Sequence, residues 1–414
     1  MIIIHTTMTP DPPLLSRILF APLRTALKTF PVVVVTGARQ AGKSTLVQHL
    51  RRDRAYYSLD DFDVRERAAT EPDALLRDPT PITIDEVQRE PDLLIAVKRA
   101  VDLRRTPGRF LLTGSANLLL HHRVAESLAG RAVYLTLWPF TRREQRGEAR
   151  AGLWSELLAT RDDRWPELFA DDAPREDWRA LARRGGYPTP ALQLTSATER
   201  AQWFGGYTQT YLERDVRDLS TVSSLVDFRR LMRAVCLRVG TMLNQTEVAR
   251  DVGLSQPSVH RWLDLMEASY QLVRLPAYAA NRTKRLIKTP KVYWSDTGLA
   301  MHLAGETEPR GEHLENIVLG DLLAWRGSHP DSPDVLYWRT STGDEVDFVI
   351  EANGKVLPIE VKATTKPTLS DAKGLRVFLD EYGKRSHAAL LLHGGSQVTW
   401  LADRVLAVPW WKVM

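Results

Sequence analysis

The stretch from Thr36 to Leu46, "TGARQAGKSTL", decides the fold of the first third of this chain. It follows Val32 to Val35, an uninterrupted β-branched run of the kind that fills a buried parallel strand. Gly37, Gly42, Lys43 and Ser44 satisfy the pattern G-x-x-x-x-G-K-[ST], and the residues after Ser44 can continue as a helix. Glycine lets the backbone curl until its N–H groups point inward at phosphate oxygens. The loop Gly37, Ala38, Arg39, Gln40, Ala41, Gly42, Lys43, Ser44 and Thr45 is therefore expected to cradle the phosphates of ATP, beside the positive end of the following helix. Lys43 would reach the β- and γ-phosphates, and Ser44 would place a hydroxyl on Mg2+.

Such a loop needs an acid at the end of a second strand. "ITIDE", Ile82 to Glu86, supplies a carboxylate pair there. Open α/β sheets bind ligands at the carboxyl ends of their strands. Asp85 is expected to hold Mg2+, directly or through water, and Glu86 to polarise the attacking water. A third apolar run, "RFLLTGSANLLL" at 109–120, ends in polar residues. Ser115 is the first candidate for sensing the γ-phosphate, with Asn117 and Thr113 behind it, although Ser115 or Asn117 would also serve as an ordinary helix cap. Arg131, after a glycine and before "AVYLTL", is the candidate arginine for a γ-phosphate in its own or a neighbouring subunit, with Arg123 as the alternative.

At 414 residues the chain is too long for one ordinary core, and two or three domains are expected. With 43% hydrophobic and 26% charged residues the composition is that of a soluble globular protein. The single cysteine, Cys236, excludes an intrachain disulfide framework and a cysteine-cluster zinc site, and suits a reducing compartment. No apolar run reaches the ~18 residues of a membrane span. The N-terminus lacks a basic region followed by a signal-type apolar core, so the expected setting is cytoplasmic. Met8 offers an alternative start. The net charge of +5 is compatible with a nucleic-acid partner without demonstrating one.

The segment "LNQTEVARDVGLSQPSVHRWLDLM", 243–266, has helix–turn–helix spacing. Val248, Ala249 and Val252 make one apolar face, Gly253 breaks it, Ser255 caps, and Val259, Trp262, Leu263 and Met266 make the next. Two strand-like runs follow with basic residues between them, so the region resembles a winged helix whose wing carries Arg282, Lys284, Arg285 and Lys288. On a DNA-binding reading Gln256, Ser258, His260 and Arg261 face the major groove and the wing meets phosphates. On the other reading the module is an ATPase accessory or binds protein, since fold alone does not fix function. Upstream, Tyr207, Tyr211 and Leu212 share one side of a helix, and Glu213, Arg214, Asp215, Arg217 and Asp218 alternate in sign as a solvated face.

Near the C-terminus "EVDFVI" and "VLPIEVKA" alternate as strands around an Asn353-Gly354 turn. Glu360 and Lys362 share a strand face, and Asp347 can meet them across the hairpin. Asp with Glu-x-Lys is the constellation of the restriction-endonuclease-like nucleases, in which the acids hold a divalent metal and the lysine stabilises charge. Glu315, on an expected helix, would add a third carboxylate. The alternative is a structural Lys–Glu pair on an ordinary hairpin.

Together "TGARQAGKSTL", "ITIDEVQREPDLL", "LLTGSANLLL", "SLAGRAVYLTLWPF", "GGYPTPAL", "TYLERDVRDLS", "KTPKVYWSDTGLA" and "GDEVDFVIEANGKVLPIEVKA" resemble one family of prokaryotic AAA-type ATPases with a C-terminal domain of unknown function. The resemblance covers nearly the whole chain in order. It implies a P-loop fold, ATP binding, hydrolysis and a cytoplasmic setting, and gives little about substrate. The expected architecture is α/β: an AAA-like P-loop ATPase domain at 1–150, a helical connector and winged helix at 151–305, and an α/β restriction-endonuclease-like domain at 306–414. The expected function is a Mg2+-dependent ATPase coupled to DNA or RNA. The rival is a regulatory ATP switch whose accessory modules bind protein and cut nothing. A homo-oligomer is compatible with either, and neither needs a membrane.

Overall fold

The β-branched run before the glycine loop becomes β1 (Val32–Thr36), buried along its whole length. Its alternate residues face two separate apolar clusters. Val32 and Val34 join one, and Val33 and Val35 the other. That double burial is why the run is continuous rather than alternating. The computed structural model describes residues 15–414 except 49, 51–53, 115–127, 171–173, 212–215, 217–223, 282, 284, 286 and 287. Leu212, Glu213, Arg214, Asp215, Arg217 and Asp218 thus lie outside the described residues.

With β2 (Ala55–Ser58), β3 (Ile82–Asp85), β4 (Phe110–Thr113) and β5 (Ala132–Thr136), β1 forms a five-stranded sheet in the order β2-β3-β4-β1-β5. Every pairing is parallel. All five carboxyl ends therefore lie on one edge, and the glycine loop leaves β1 at that edge.

The middle region carries the helices Leu225–Cys236, Gln245–Val252 and Gln256–Ala268, then β7 (Leu272–Leu275) and β8 (Lys291–Trp294). The short β6 (Thr241–Met242) completes an antiparallel sheet in the order β6-β8-β7. Local chemistry sets the turn. Asn244 caps one helix, Gly253 ends it in the left-handed region, and Ser255 accepts from Ser258 N to begin the next.

The C-terminal sheet runs β13-β14-β12-β11-β10-β9. Its strands are β9 (Asp334–Arg339), β10 (Glu345–Ala352), β11 (Lys355–Lys362), β12 (Ala389–His393), β13 (Thr399–Ala402) and β14 (Val405–Pro409). β10 and β11 meet through the two-residue turn Asn353-Gly354, both at positive φ. The helix Gly311–Ser328 covers one face through Leu314, Val318 and Leu322, and Lys373–Tyr382 the other through Leu375 and Phe378.

One apolar core runs from Trp154 to Met414 without a break at residue 305, and it takes in Ala38 of the glycine loop. The end of the chain is pinned back onto the first module. Arg142 donates to the carbonyls of Trp411 and Met414 at 3.1 and 2.6 Å. Asp321 accepts from Gly152 N at 2.9 Å and Trp154 Nε1 at 2.6 Å. Burial pushes the Asp321 carboxyl up from 3.8 to about 6, although Trp154 and Gly152 donate to it. The folded protein therefore holds this proton to higher pH than the unfolded chain does. The contribution of this group to stability is full below pH 3.8 and is lost as pH rises to about 6, by about 3 kcal/mol at most. Asp321→Asn keeps the accepting oxygen and has no proton to lose. Urea unfolding between pH 4 and 7 should show that this part of the fall has gone in the variant.

Candidate functional site

The curl of the glycine loop is built from three residues at positive φ: Gly37 at 141°, Gln40 at 60° and Gly42 at 96°. At Gly37 the backbone passes under Leu137, whose carbonyl oxygen would stand 2.2 Å from any Cβ there. Lys43 Nζ donates to the carbonyls of Gly37 and Ala38 at 3.0 and 2.8 Å. Ser44 Oγ donates to Asp85 Oδ1 at 3.1 Å, so β1 and β3 bring the two metal-ligand candidates together. Tyr56 OH on β2 donates to Asp85 Oδ2 at 2.7 Å. Thr113 on β4 donates to Asp85 Oδ1 and accepts from Glu86 N at 3.1 Å. Glu86 itself is held in the left-handed region, φ 59° and ψ 42°, and takes a hydrogen bond from Gln88. Such backbone strain in non-glycine residues concentrates at functional sites.

This donor set fits a nucleotide with a hard cation. The hydroxyl of Ser44 and the carboxylate of Asp85 are oxygen ligands within reach of one ion, and a curled backbone lies beside them. Of the γ-phosphate sensor candidates, Thr113 sits between Asp85 and Glu86. Ser115 and Asn117 lie outside the described residues, as does Arg123. Arg131 is elsewhere. It precedes the first residue of β5, one five-residue strand or roughly 16 Å from the loop edge. There Nε and Nη2 clasp Asp102 at 2.6 and 2.9 Å. The expectation that Arg131 reaches a γ-phosphate in its own chain is corrected by the strand direction.

Two neighbours of the loop carry no sequence motif. Arg17 donates to Ala41 O at 3.0 Å and Trp138 O at 2.6 Å while pairing with Glu144 at 2.9 Å. Tyr270, from the middle region and itself at φ 58°, donates to Thr36 Oγ1 at 2.8 Å. Its ring meets Trp138 edge-on.

A second cluster lies in the C-terminal module. Pairing of Phe348 with Ile359 sets Asp347 across from Glu360, beside an irregularity between Val346 and Val349 against β9. Asp347 Oδ2 accepts from Val361 N at 2.9 Å, and Asp347 N donates to Glu360 Oε2 at 3.4 Å. Lys362 Nζ stands 2.5 Å from Glu360 Oε1. Glu315 joins them from its helix and accepts from Tyr293 OH at 2.7 Å. Asp347, Glu360, Lys362 and Glu315 thus converge. Burial, then Asp347, pushes the Glu315 carboxyl up to about 8, and the same two causes hold Glu360 well above the usual carboxylate range. The cluster also holds Lys291, which sequence reading missed. Its Nζ lies 2.6 Å from Glu345, 3.1 Å from Asp347 and 3.5 Å from Glu315, and the residue is 2% exposed. Burial alone would lower this ammonium, but Asp347, Tyr293, Glu315 and Glu345 outweigh it and hold it charged. Among the described residues, no group of three or more His, Cys, Asp or Glu is arranged to hold a metal ion.

Residues 29–145 match an AAA domain, and 310–413 and 175–310 match two domains of unknown function, DUF4143 and DUF8612. An uncharacterized protein of Mycobacterium tuberculosis is 31% identical over 94% of this chain and 82% of its own length. The chain belongs to this family of prokaryotic AAA-type ATPases. An uncharacterized protein of Haemophilus influenzae is 21% identical over 85% of the chain and 88% of its own length. Among solved structures, a Walker-type ATPase of Pyrococcus abyssi aligns over 69% of this chain and 94% of its own, with 15% identity and a TM-score of 0.44. Among the described residues of this AAA-type ATPase, no helix is long and apolar enough to cross a membrane.

The helix–turn–helix residues are presented unevenly. Gln256, His260 and Arg261 are exposed and Ser258 is half-buried. His260 is spanned by Gln245 at 3.3 Å and Asp264 at 3.4 Å. Lys288 is exposed, while Arg282 and Lys284 lie outside the described residues. Arg285 corrects the expectation of a phosphate contact. It is 7% exposed, pairs with Glu351 of β10 at 2.6 Å and lies over the Tyr278 ring. A buried carboxylate demands a counter-charge, and Arg285 supplies it together with Arg385, 2.5 Å from the other oxygen.

Two measurements follow from this geometry. Gly37→Ala cannot be accommodated without moving the loop or the Leu137 backbone, so ATP affinity should fall at least about tenfold by equilibrium binding. Arg285→Ala should destabilise the fold by about 1–3 kcal/mol in chemical unfolding, because Glu351 loses its buried partner and keeps only the half-buried Arg385 at 2.5 Å. It should leave the salt dependence of any DNA binding unchanged.

Proposed function

We propose that this chain is a Mg2+-dependent ATPase whose middle module couples the nucleotide site to nucleic acid. The contact between Ser44 and Asp85, with Glu86 one residue on, carries the first half of this reading. In it Lys43 holds the β- and γ-phosphates, and the backbone of Gly37 to Thr45 lines them. Ser44 and Asp85 hold the cation, with Tyr56 and Thr113 fixing the Asp85 carboxylate. The cation would neutralise charge on the phosphates. Glu86 orients and deprotonates the attacking water, its backbone fixed by Thr113. Arg131 has no part in this site of its own chain.

The second half rests on topology. Three helices and a β6-β8-β7 sheet follow one another as in a winged helix, and Gln256, His260 and Arg261 stand exposed on its second turn-helix. These residues, with Ser258 and Lys288, would contact DNA. The reading as a regulatory ATP switch that binds protein is favoured by a different observation: Arg285 is buried against Glu351, which leaves the wing less basic than its sequence.

Lys43→Ala should weaken ATP binding about 10–100-fold, the worth of a charge-assisted contact. Glu86→Gln should keep binding and slow turnover about 100-fold or more, since only the base is lost. Unchanged hydrolysis in both variants would remove the ATPase assignment. Charge reversal at Arg261 and Lys288 should lower DNA affinity and flatten its dependence on salt, through fewer released counterions. A parent chain with no measurable affinity at low salt moves the assignment to the protein-binding switch.

A further inference from the structure

We infer that Lys291 is the resident cation of the C-terminal acid cluster: strand β8 of the middle module places its ammonium where a restriction-endonuclease-like centre would hold a divalent ion. The cluster is then a clasp between two modules, and a cation site only when Lys291 is removed.

Five of the six oxygens that Asp347, Glu360 and Glu315 could offer a metal are already engaged. Asp347 Oδ1 faces Lys291 at 3.1 Å and Oδ2 accepts from Val361 N at 2.9 Å. Glu360 Oε1 faces Lys362 at 2.5 Å and Oε2 accepts from Asp347 N at 3.4 Å. Glu315 Oε2 accepts from Tyr293 OH at 2.7 Å and faces Lys291 at 3.5 Å. A hard divalent ion asks for about six oxygen ligands, and it would have to displace these partners to find them. Nor can Lys291 easily swing away. Its strand is the central one of three, with Lys291 paired to Met242 on one side and Leu275 on the other. The side chain is 2% exposed, and its ammonium lies 5.8 Å from the Tyr293 ring centroid.

The placement of charge adds to this. A further divalent ion beside an ammonium held 3.1 Å from Asp347 would meet direct repulsion at low dielectric. Take the ammonium away, and the three acids Glu315, Asp347 and Glu360 face one another with no cation but Lys362. That is the arrangement a divalent ion stabilises.

The test uses the full chain, free of nucleotide, carrying Asp85→Asn to silence metal binding at the glycine loop. Mn2+ binding is followed by electron paramagnetic resonance and by the shift in unfolding temperature. With Lys291 present, the chain should bind no Mn2+ that depends on Asp347. Lys291→Ala with Glu345→Gln removes one charge of each sign and leaves the cluster's formal balance unaltered. This variant should gain one Mn2+, at least about tenfold tighter than its parent, and a Mn2+-dependent rise in unfolding temperature. Adding Asp347→Asn should abolish both. Mn2+ binding by the chain with Lys291 in place, lost on Asp347→Asn, would overturn the inference. So would a folded Lys291→Ala, Glu345→Gln chain that gains no ion. The first arm needs no change at Lys291, so Asp347-dependent Mn2+ binding there overturns the inference even if the double variant does not fold.

Discussion

The passage of Gly37 beneath the Leu137 carbonyl is the contact on which the nucleotide site depends. No side chain fits there, so the chain leaves β1 in a conformation open to glycine. That departure sets Ala38 into the core of the following modules and Lys43 over the loop carbonyls. It also sets Ser44 against Asp85. The loop is therefore fastened from two sides. The parallel sheet fixes its start, and the middle module packs on its back.

Several motifs gain a physical meaning only at this wall. Phe140 N donates to Gly186 O at 2.7 Å, and Gly186 N donates to Asp296 at 2.5 Å. "WPF", "GGYP" and "SDTG" are thus one hydrogen-bonded seam from three distant parts of the sequence. A Cβ on Gly42 would touch Pro188 of the same seam at 3.6 Å. Tyr270 adds a second link, from the helical module to Thr36 at the base of the loop. The glycine loop and the middle module are thus in direct contact.

The joints between modules are built from buried charges. Arg285 with Glu351 and Lys291 among its carboxylates cross from the middle module to the C-terminal one, and Arg17 with Glu144 ties together distant parts of the first. Such pairs give up hydration in forming and add little net stability. They are costly to break by half, and so they favour one arrangement of the modules over others.

The sequence by itself determined the P-loop sheet, the glycine loop, the Asp85-Glu86 pair and the hairpin that opposes Asp347 to Glu360. Each rests on local spacing: a β-branched run, fixed glycines, a period of two, and an Asn-Gly turn. It could not determine that Arg131 lies at the far edge, because strand direction in a sheet is set by pairing between distant segments. Nor could it tell Arg285 and Lys291 from a solvated cation such as Lys288. A basic residue on or beside a strand has the same local signature whether it meets water or a buried carboxylate. Only the tertiary packing, which brings Lys291 of β8 and Arg285 against β10, decided which of these charges would be solvated and which would be enclosed.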